Sequence, residues 1–227
     1  MRPITGALSR VLIAASSAIG ALRDPTRADL VAALGETTAA FTLEQMHTRM
    51  RNSPVGRDIL KDRPRINQNT LATAQKCPPH SFGSHYASFM AQRGFDPDER
   101  SPVKYIHGKE ELAYVMQRSR EVHDFWHVLF GCPTTLLGEL QLKALEFTQT
   151  GLPMCALSVL GAQVRLNEED RRLLWQYYIP WATRAGLKSH DLMNIYYEQH
   201  LHEDMSTFRA RFGIIPAPKK SEVMLLL

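Results

Sequence analysis

His123, Asp124 and His127 stand together in Arg120–Glu146, and Glu139 follows after eleven intervening residues. On a helix, residues four apart project from one face, so His123 and His127 stack one turn above the other. Asp124 lies one residue round, about 100° away, close enough to lean into the same site. Gly131 and Pro133 stop the helix, and Thr134 or Thr135 can cap a second one. If the two helices fold back as a hairpin, a rise of about 1.5 Å per residue brings Glu139 level between the two histidines. Two imidazoles and two carboxylates then converge on one point. Such a donor set suits a divalent ion of the zinc, iron or manganese kind.

The pattern is not His-Glu-x-x-His, whose second residue is a general base. Asp124 is one methylene shorter than Glu and reads as a ligand. The competing reading is a polar seam, with the histidines hydrogen-bonded to the carboxylates. Against it, Val122, Phe125, Trp126, Val128, Leu129 and Phe130 make the surroundings apolar. Four ionisable groups buried there unpaired would be costly, whereas a cation offsets that cost.

The hairpin must be positioned by other helices, and no stretch of the chain sustains a period of two. The fold class is therefore all-α. Lys109–Phe130 reads as one long helix, and the second arm runs on to a break at Gly151-Leu152-Pro153. Before the hairpin, Thr42–Arg51 reads as a helix with Gln45 completing a capping box. Ser53-Pro54 starts another that ends before Arg63, and Phe82–Arg93 reads as a third, stopped by Gly94. After the hairpin, Met154–Ala162 is almost wholly apolar and suits a core helix better than the wall of a lipid-sized groove. Asn167–Trp181 reads as one amphipathic helix, and Asp191–Phe212 completes the fold.

At 227 residues the chain suits a single domain with a sizeable core. A net charge of +4 tolerates an anionic membrane surface without arguing for nucleic acid. No phosphate-binding glycine loop, basic-aromatic run or repeat is present. Three widely spaced cysteines, Cys77, Cys132 and Cys155, indicate reduced thiols. Residues 1–23 contain no acid, and Leu8, Leu12, Ala15, Ile19 and Leu22 make an amphipathic stripe beside Arg2, Arg10 and Arg23. That is a targeting segment, a helix lying on a membrane surface, or the first helix of the domain. Residues 216–227 read as a loose tail.

His-Asp-x-x-His, eleven residues, then Glu resembles the signature of the fourth protein in the numbered eukaryotic coenzyme Q biosynthesis series. Leu34-Gly35-Glu36-Thr37-Thr38, Arg63-Pro64-Arg65, Glu111–Val115, Thr150–Met154 and Asn194-Ile195-Tyr196-Tyr197-Glu198 resemble further blocks of that family, in the same order. The likeness covers residues 8–215 and favours the domain-helix reading from Leu8 onward. It implies a helical domain whose central hairpin carries a metal on His123, Asp124, His127 and Glu139, zinc first and iron as the alternative. It also implies C1 decarboxylation of a 4-hydroxy-3-methoxy-5-polyprenylbenzoate, with or without oxidative hydroxylation at C1. The implied setting is the matrix side of the inner mitochondrial membrane, bound peripherally. A homo-oligomer working with other coenzyme Q biosynthesis proteins in a multi-subunit complex is implied as well. The contrasting class is a non-catalytic, lipid-binding scaffold with a structural ion. A His-Asp phosphohydrolase lacks its usual upstream His and downstream Asp here.

Overall fold

Proline, glycine and small polar residues punctuate the chain where its helices begin and end. The structure, a computed structural model, describes Ser16, Glu36 and residues 38–100, 102–104, 106 and 109–225. Helix α1 spans Ala40–Asn52 and α2 spans Pro54–Asp62, where Ser53 Oγ accepts a hydrogen bond from Gly56 N at 3.3 Å. Asn67 caps α3 (Gln68–Ala74), and Ser81 caps α4 (Phe82–Arg93), which ends at Gly94 with φ +63°. The long helix α5 (Glu110–Phe130) ends at Gly131, whose φ of +69° suits a residue without a Cβ. Thr135 caps α6 (Leu136–Thr150), and Pro153 opens α7 (Pro153–Ala162). A short α8 (Glu168–Leu173) passes through a π-helical turn, Leu174–Tyr178, into α9 (Ile179–Lys188). Two 3-10 turns, α10 (Met205–Phe212) and α11 (Lys220–Met224) complete the order. The fold is all-α, as the absence of a two-residue period predicts.

Helix α5 is the axis of the fold, with 14 of its 21 residues buried. Around it, Phe82, Tyr86, Phe125, Tyr197 and Phe208 form an aromatic cluster with ring centroids 4.6–6.2 Å apart. Trp126 donates to the Tyr197 hydroxyl at 2.8 Å, and that hydroxyl donates to Leu192 O at 2.9 Å. Helix α9 lies close on α6 because Ala182, Ala185 and Gly186 face it. A Cβ at Gly186 would come within 2.9 Å of Thr148. A second, smaller core forms on the other side of α6 from Leu137, Leu140, Val159, Leu173, Leu174 and Tyr178.

Several blocks behind the family resemblance turn out to hold the frame together. Arg118, 1% exposed, forms a two-pronged pair with Glu198, with Nη2 to Oε2 at 2.9 Å. Glu121 accepts from Arg65 Nε at 2.6 Å and from Ile66 N at 3.0 Å. Buried charges of this kind persist because each is paired and hydrogen-bonded.

Three expectations are corrected. Helix α1 begins at Ala40 rather than Thr42, so Thr42 is inside it and Gln45 completes no capping box. Thr42 Oγ1 instead reaches Gly151 O at 3.5 Å, a long-range partner that no local pattern predicts. Helix α7 is not a core helix, since only Cys155 and Val159 are buried while Leu157 and Leu160 are about half exposed. The amphipathic stretch from Asn167 is broken by the π-helical turn, which re-phases the apolar face between α8 and α9. Within 216–227, Ala217 N donates to Phe130 O at 2.7 Å and Val223 is buried against the smaller core. The amphipathic stripe in residues 1–23 lies outside the described residues.

Candidate metal centre

Gly131, Pro133 and Thr135 decide how α6 returns along α5. The turn is tight: a Cβ on Gly138 would fall 2.0 Å from Pro133 O, so only glycine lets the first turn of α6 start there. Arg93 Nε donates to Thr134 Oγ1 at 3.0 Å and ties the turn to α4. Glu139 occupies the first turn of α6, where a carboxylate also complements the helix dipole.

Three of the four expected residues meet. Donor atoms of His123, His127 and Glu139 all lie within 4.8 Å of one another. His127 Nε2 is 3.1 Å from Glu139 Oε1 and 3.1 Å from His123 Nε2, and His123 Nε2 is 3.6 Å from Glu139 Oε2. Bonds of about 2.1 Å at tetrahedral angles separate donor atoms by roughly 3.4 Å, so the spacing fits an ion. The tautomers fit as well. His127 Nδ1 faces Cys132 O at 2.9 Å, and a carbonyl can only accept, so Nδ1 carries the hydrogen. His123 Nδ1 meets the Glu146 carboxylate. Both Nε2 atoms therefore point inward at one another, an arrangement that calls for a positive charge between them. This cluster can hold a metal ion.

Asp124 stands apart from the three. Its carboxylate pairs with Arg100, which also donates to Ile66 O at 3.1 Å and Pro97 O at 2.9 Å. The 100° offset from His123 carries this short side chain to the flank where Arg100 lies. In this geometry Asp124 ties α5 to Arg100 and, through it, to the Ile66 and Pro97 carbonyls.

Two charged residues that sequence reading did not assign complete the site. Glu146, 5% exposed, touches His123 and accepts from Lys143 Nζ at 2.6 Å and from Cys155 Sγ at 3.3 Å. The signal was present: Glu139, Lys143 and Glu146 follow a four-then-three spacing along one face. Electrostatics bind the group together. Burial and the Lys143 ammonium act to lower the His123 pKa, but Glu146 and Glu139 outweigh them and raise it to about 9. Burial would raise Glu146, yet Lys143 and His123 hold it down at about 2. Glu139 is held far below the usual carboxylate range against burial by the two imidazoles. Cys132 and Cys155 are buried thiols with pKa values pushed up by burial, hence poor thiolate ligands.

His127 is 1% exposed and stacked on Phe89 at 5.6 Å, while Glu139 is 35% exposed. The cluster is thus closed behind His127 and open toward Glu139, with His123 partly exposed between them.

Residues 3–218 match the family model described as "Coenzyme Q (ubiquinone) biosynthesis protein Coq4". The chain belongs to the Coq4 family. It is 43% identical to the ubiquinone biosynthesis protein COQ4, mitochondrial, of Paracoccidioides lutzii, over 99% of this chain and 79% of that one. Against the Coq4 homologue of Xenopus tropicalis, also named mitochondrial, it is 43% identical over 95% of this chain and 77% of the relative. The resemblance read from the sequence blocks is borne out. Among solved structures, the fold resembles a Nostoc punctiforme protein described as a candidate for ubiquinone biosynthesis. The TM-score is 0.70, with 21% identity over 88% of this chain and 96% of that one. At that identity the likeness bears on the Coq4 fold alone.

Proposed function

We propose that the chain catalyses metal-dependent C1 decarboxylation of a 4-hydroxy-3-methoxy-5-polyprenylbenzoate in ubiquinone biosynthesis. The observation that carries this reading is a three-donor set, His123, His127 and Glu139, open on one side. Structural zinc sites are closed by four protein ligands, whereas catalytic sites keep a position free. With Asp124 committed to Arg100, the described residues supply three. Zinc suits two imidazoles and a carboxylate, and iron is the choice if the route is oxidative.

Charge accounting supports an anionic substrate. Glu139 and Glu146 carry −2, Lys143 returns +1, and the histidines are neutral when they ligate, leaving −1. A divalent ion would bring the total to +1, which one carboxylate neutralises. When bound, the ion supplies a Lewis acid that orients and polarises the carboxylate or the phenolate. The residues do the rest: the paired Nδ1 contacts hold both imidazoles facing inward, and Phe89 shields His127 from water. Electron push from the para phenolate lets C1 accept a proton as the carbon–carbon bond breaks and CO2 leaves.

Purified protein should contain about one equivalent of metal and release CO2 from a short-chain prenylated hydroxybenzoate. The product, a phenol or a hydroquinone, separates the simple route from the oxidative one. Metal-loaded protein inert under both conditions, with and without oxygen, would turn the reading toward the lipid-binding scaffold.

We further propose that the protein works peripherally at the matrix face of the inner mitochondrial membrane. There it would act as a homo-oligomer and within a complex of coenzyme Q biosynthesis proteins. Both relatives above are named mitochondrial, and among the described residues no helix is long and apolar enough to cross a membrane. The outer face of α7 and the turn after it support a peripheral contact: Leu157 and Leu160 on α7 are 45% and 54% exposed, and Val164 just beyond it is 71% exposed. The double substitution Leu157→Asp and Leu160→Asp is expected to cut co-sedimentation with anionic vesicles at least fivefold without lowering the melting temperature. Unchanged vesicle binding would remove α7 from the contact.

A further inference from the structure

Glu146 lies on the side of His123 opposite the donor cluster. The imidazole presents Nε2 to His127 Nε2 at 3.1 Å and to Glu139 at 3.6 Å, and presents Nδ1 to Glu146 Oε1. Every lone-pair direction that matters on Glu146 is taken. Oε1 receives His123, and Oε2 receives Lys143 Nζ at 2.6 Å and Cys155 Sγ at 3.3 Å. Lys143 Nζ also lies 3.4 Å from His123 Nδ1, too far to displace the carboxylate. Glu146 is therefore placed to hold a histidine rather than to ligate an ion.

We propose that Glu146, clamped by Lys143, is a positioning residue that fixes the rotation and tautomer of His123 and thereby sets the metal affinity and ligand field of the site. This rests on the metal-binding reading of His123, His127 and Glu139. The second imidazole shows what the device does. His127 is held at Nδ1 by the backbone carbonyl of Cys132 at 2.9 Å, a partner that no substitution of a side chain removes. His123 has no such carbonyl and uses a carboxylate instead. A carboxylate orients the ring and also makes Nε2 a stronger donor than a carbonyl does. The two ligands are thus unequal by construction, with His123 the tunable one. Lys143 belongs to the device because it occupies Oε2, so Glu146 can neither rotate toward Glu139 nor stand as an unbalanced buried charge.

The alternative is a plain buried ion pair that happens to touch His123. The double variant Lys143→Met, Glu146→Leu separates the two, since an apolar pair of similar volume replaces a buried ion pair with little loss of fold. The probe is cobalt(II), titrated into metal-free protein against a chromophoric chelator, with the visible bands recorded. Wild type is expected to bind one cobalt tightly. The double variant is expected to bind it about 10–100-fold more weakly, with shifted bands. Should that variant fail to fold, Glu146→Gln keeps the volume and an acceptor oxygen but not the charge. It is expected to lose about tenfold, at the low end of the same range. Wild-type affinity and bands in whichever variant folds would overturn the positioning role while leaving the metal site standing. Absence of cobalt binding in wild type would bring down both readings.

Discussion

Glu139→Gln is expected to abolish turnover while the protein stays folded. The side chain sits in the first turn of α6, a third exposed, with its two oxygens 3.1 Å from His127 Nε2 and 3.6 Å from His123 Nε2. Gln fills the same volume and still offers one oxygen, and Thr135 continues to cap the helix. The lost favourable interaction with the helix dipole is about 0.3–1 kcal/mol, small against the stability of a domain. At the metal centre the change is far larger. The local charge goes from −1 to zero, so the pull on a divalent ion weakens at the place where substrate would enter. A loss on the order of 10³-fold in turnover corresponds to about 4 kcal/mol of transition-state stabilisation. The measurement is complementation of a strain lacking the gene, with quinone levels and recovery of the proposed biosynthetic complex scored in parallel. Lost growth with an intact complex supports catalysis. Normal growth with normal quinone would end the catalytic reading, because a scaffold is read by shape and apolar surface.

What the sequence revealed about this site, and what it hid, follows from the range of the interactions. The hairpin was legible because its determinants are local: Gly131 tolerates positive φ, Pro133 cannot continue a helix, and Thr135 caps. Two helical arms of known rise then place Glu139 between His123 and His127 without further information. Asp124 was harder to place because its partner, Arg100, lies 24 residues earlier in a segment without a helical period. Glu146 shares a face with Glu139, but burial of a carboxylate beside a lysine cannot be read from spacing alone. The apolar composition of α7 looks the same whether its outer face meets a core or is left exposed. The π-helical turn at Leu174–Tyr178 leaves no composition signature either, since it moves the register rather than the residue types.

Metal affinity is expected to rise about tenfold per pH unit from pH 6.5 until it levels off near pH 9. In the metal-free site His123 binds a proton at neutral pH, because Glu146 with Glu139 raises it to about 9. A divalent ion takes that place only by displacing the proton, so each unit of pH below the His123 pKa costs a factor of ten. Between pH 6.5 and 8.5 the apparent affinity should therefore change by about two powers of ten. The stability of the metal-free protein should move in the opposite sense. A pKa raised from 6.5 on folding gives stability that is full below pH 6.5 and lost as pH climbs through about 9. Glu146, lowered from 4.5 to about 2, gives stability that is present above pH 4.5 and lost as pH falls toward 2. The metal-free protein is thus most stable between about pH 4.5 and 6.5 as far as these two groups decide it, where the ion binds least. Competition titrations with a chelator of known proton affinity, at half-unit steps, measure the first slope. Melting temperatures of the chelator-treated protein over the same steps measure the second. A flat affinity across pH 6.5–8.5 would mean that no proton is displaced, and the site would then not be the one that these three side chains form.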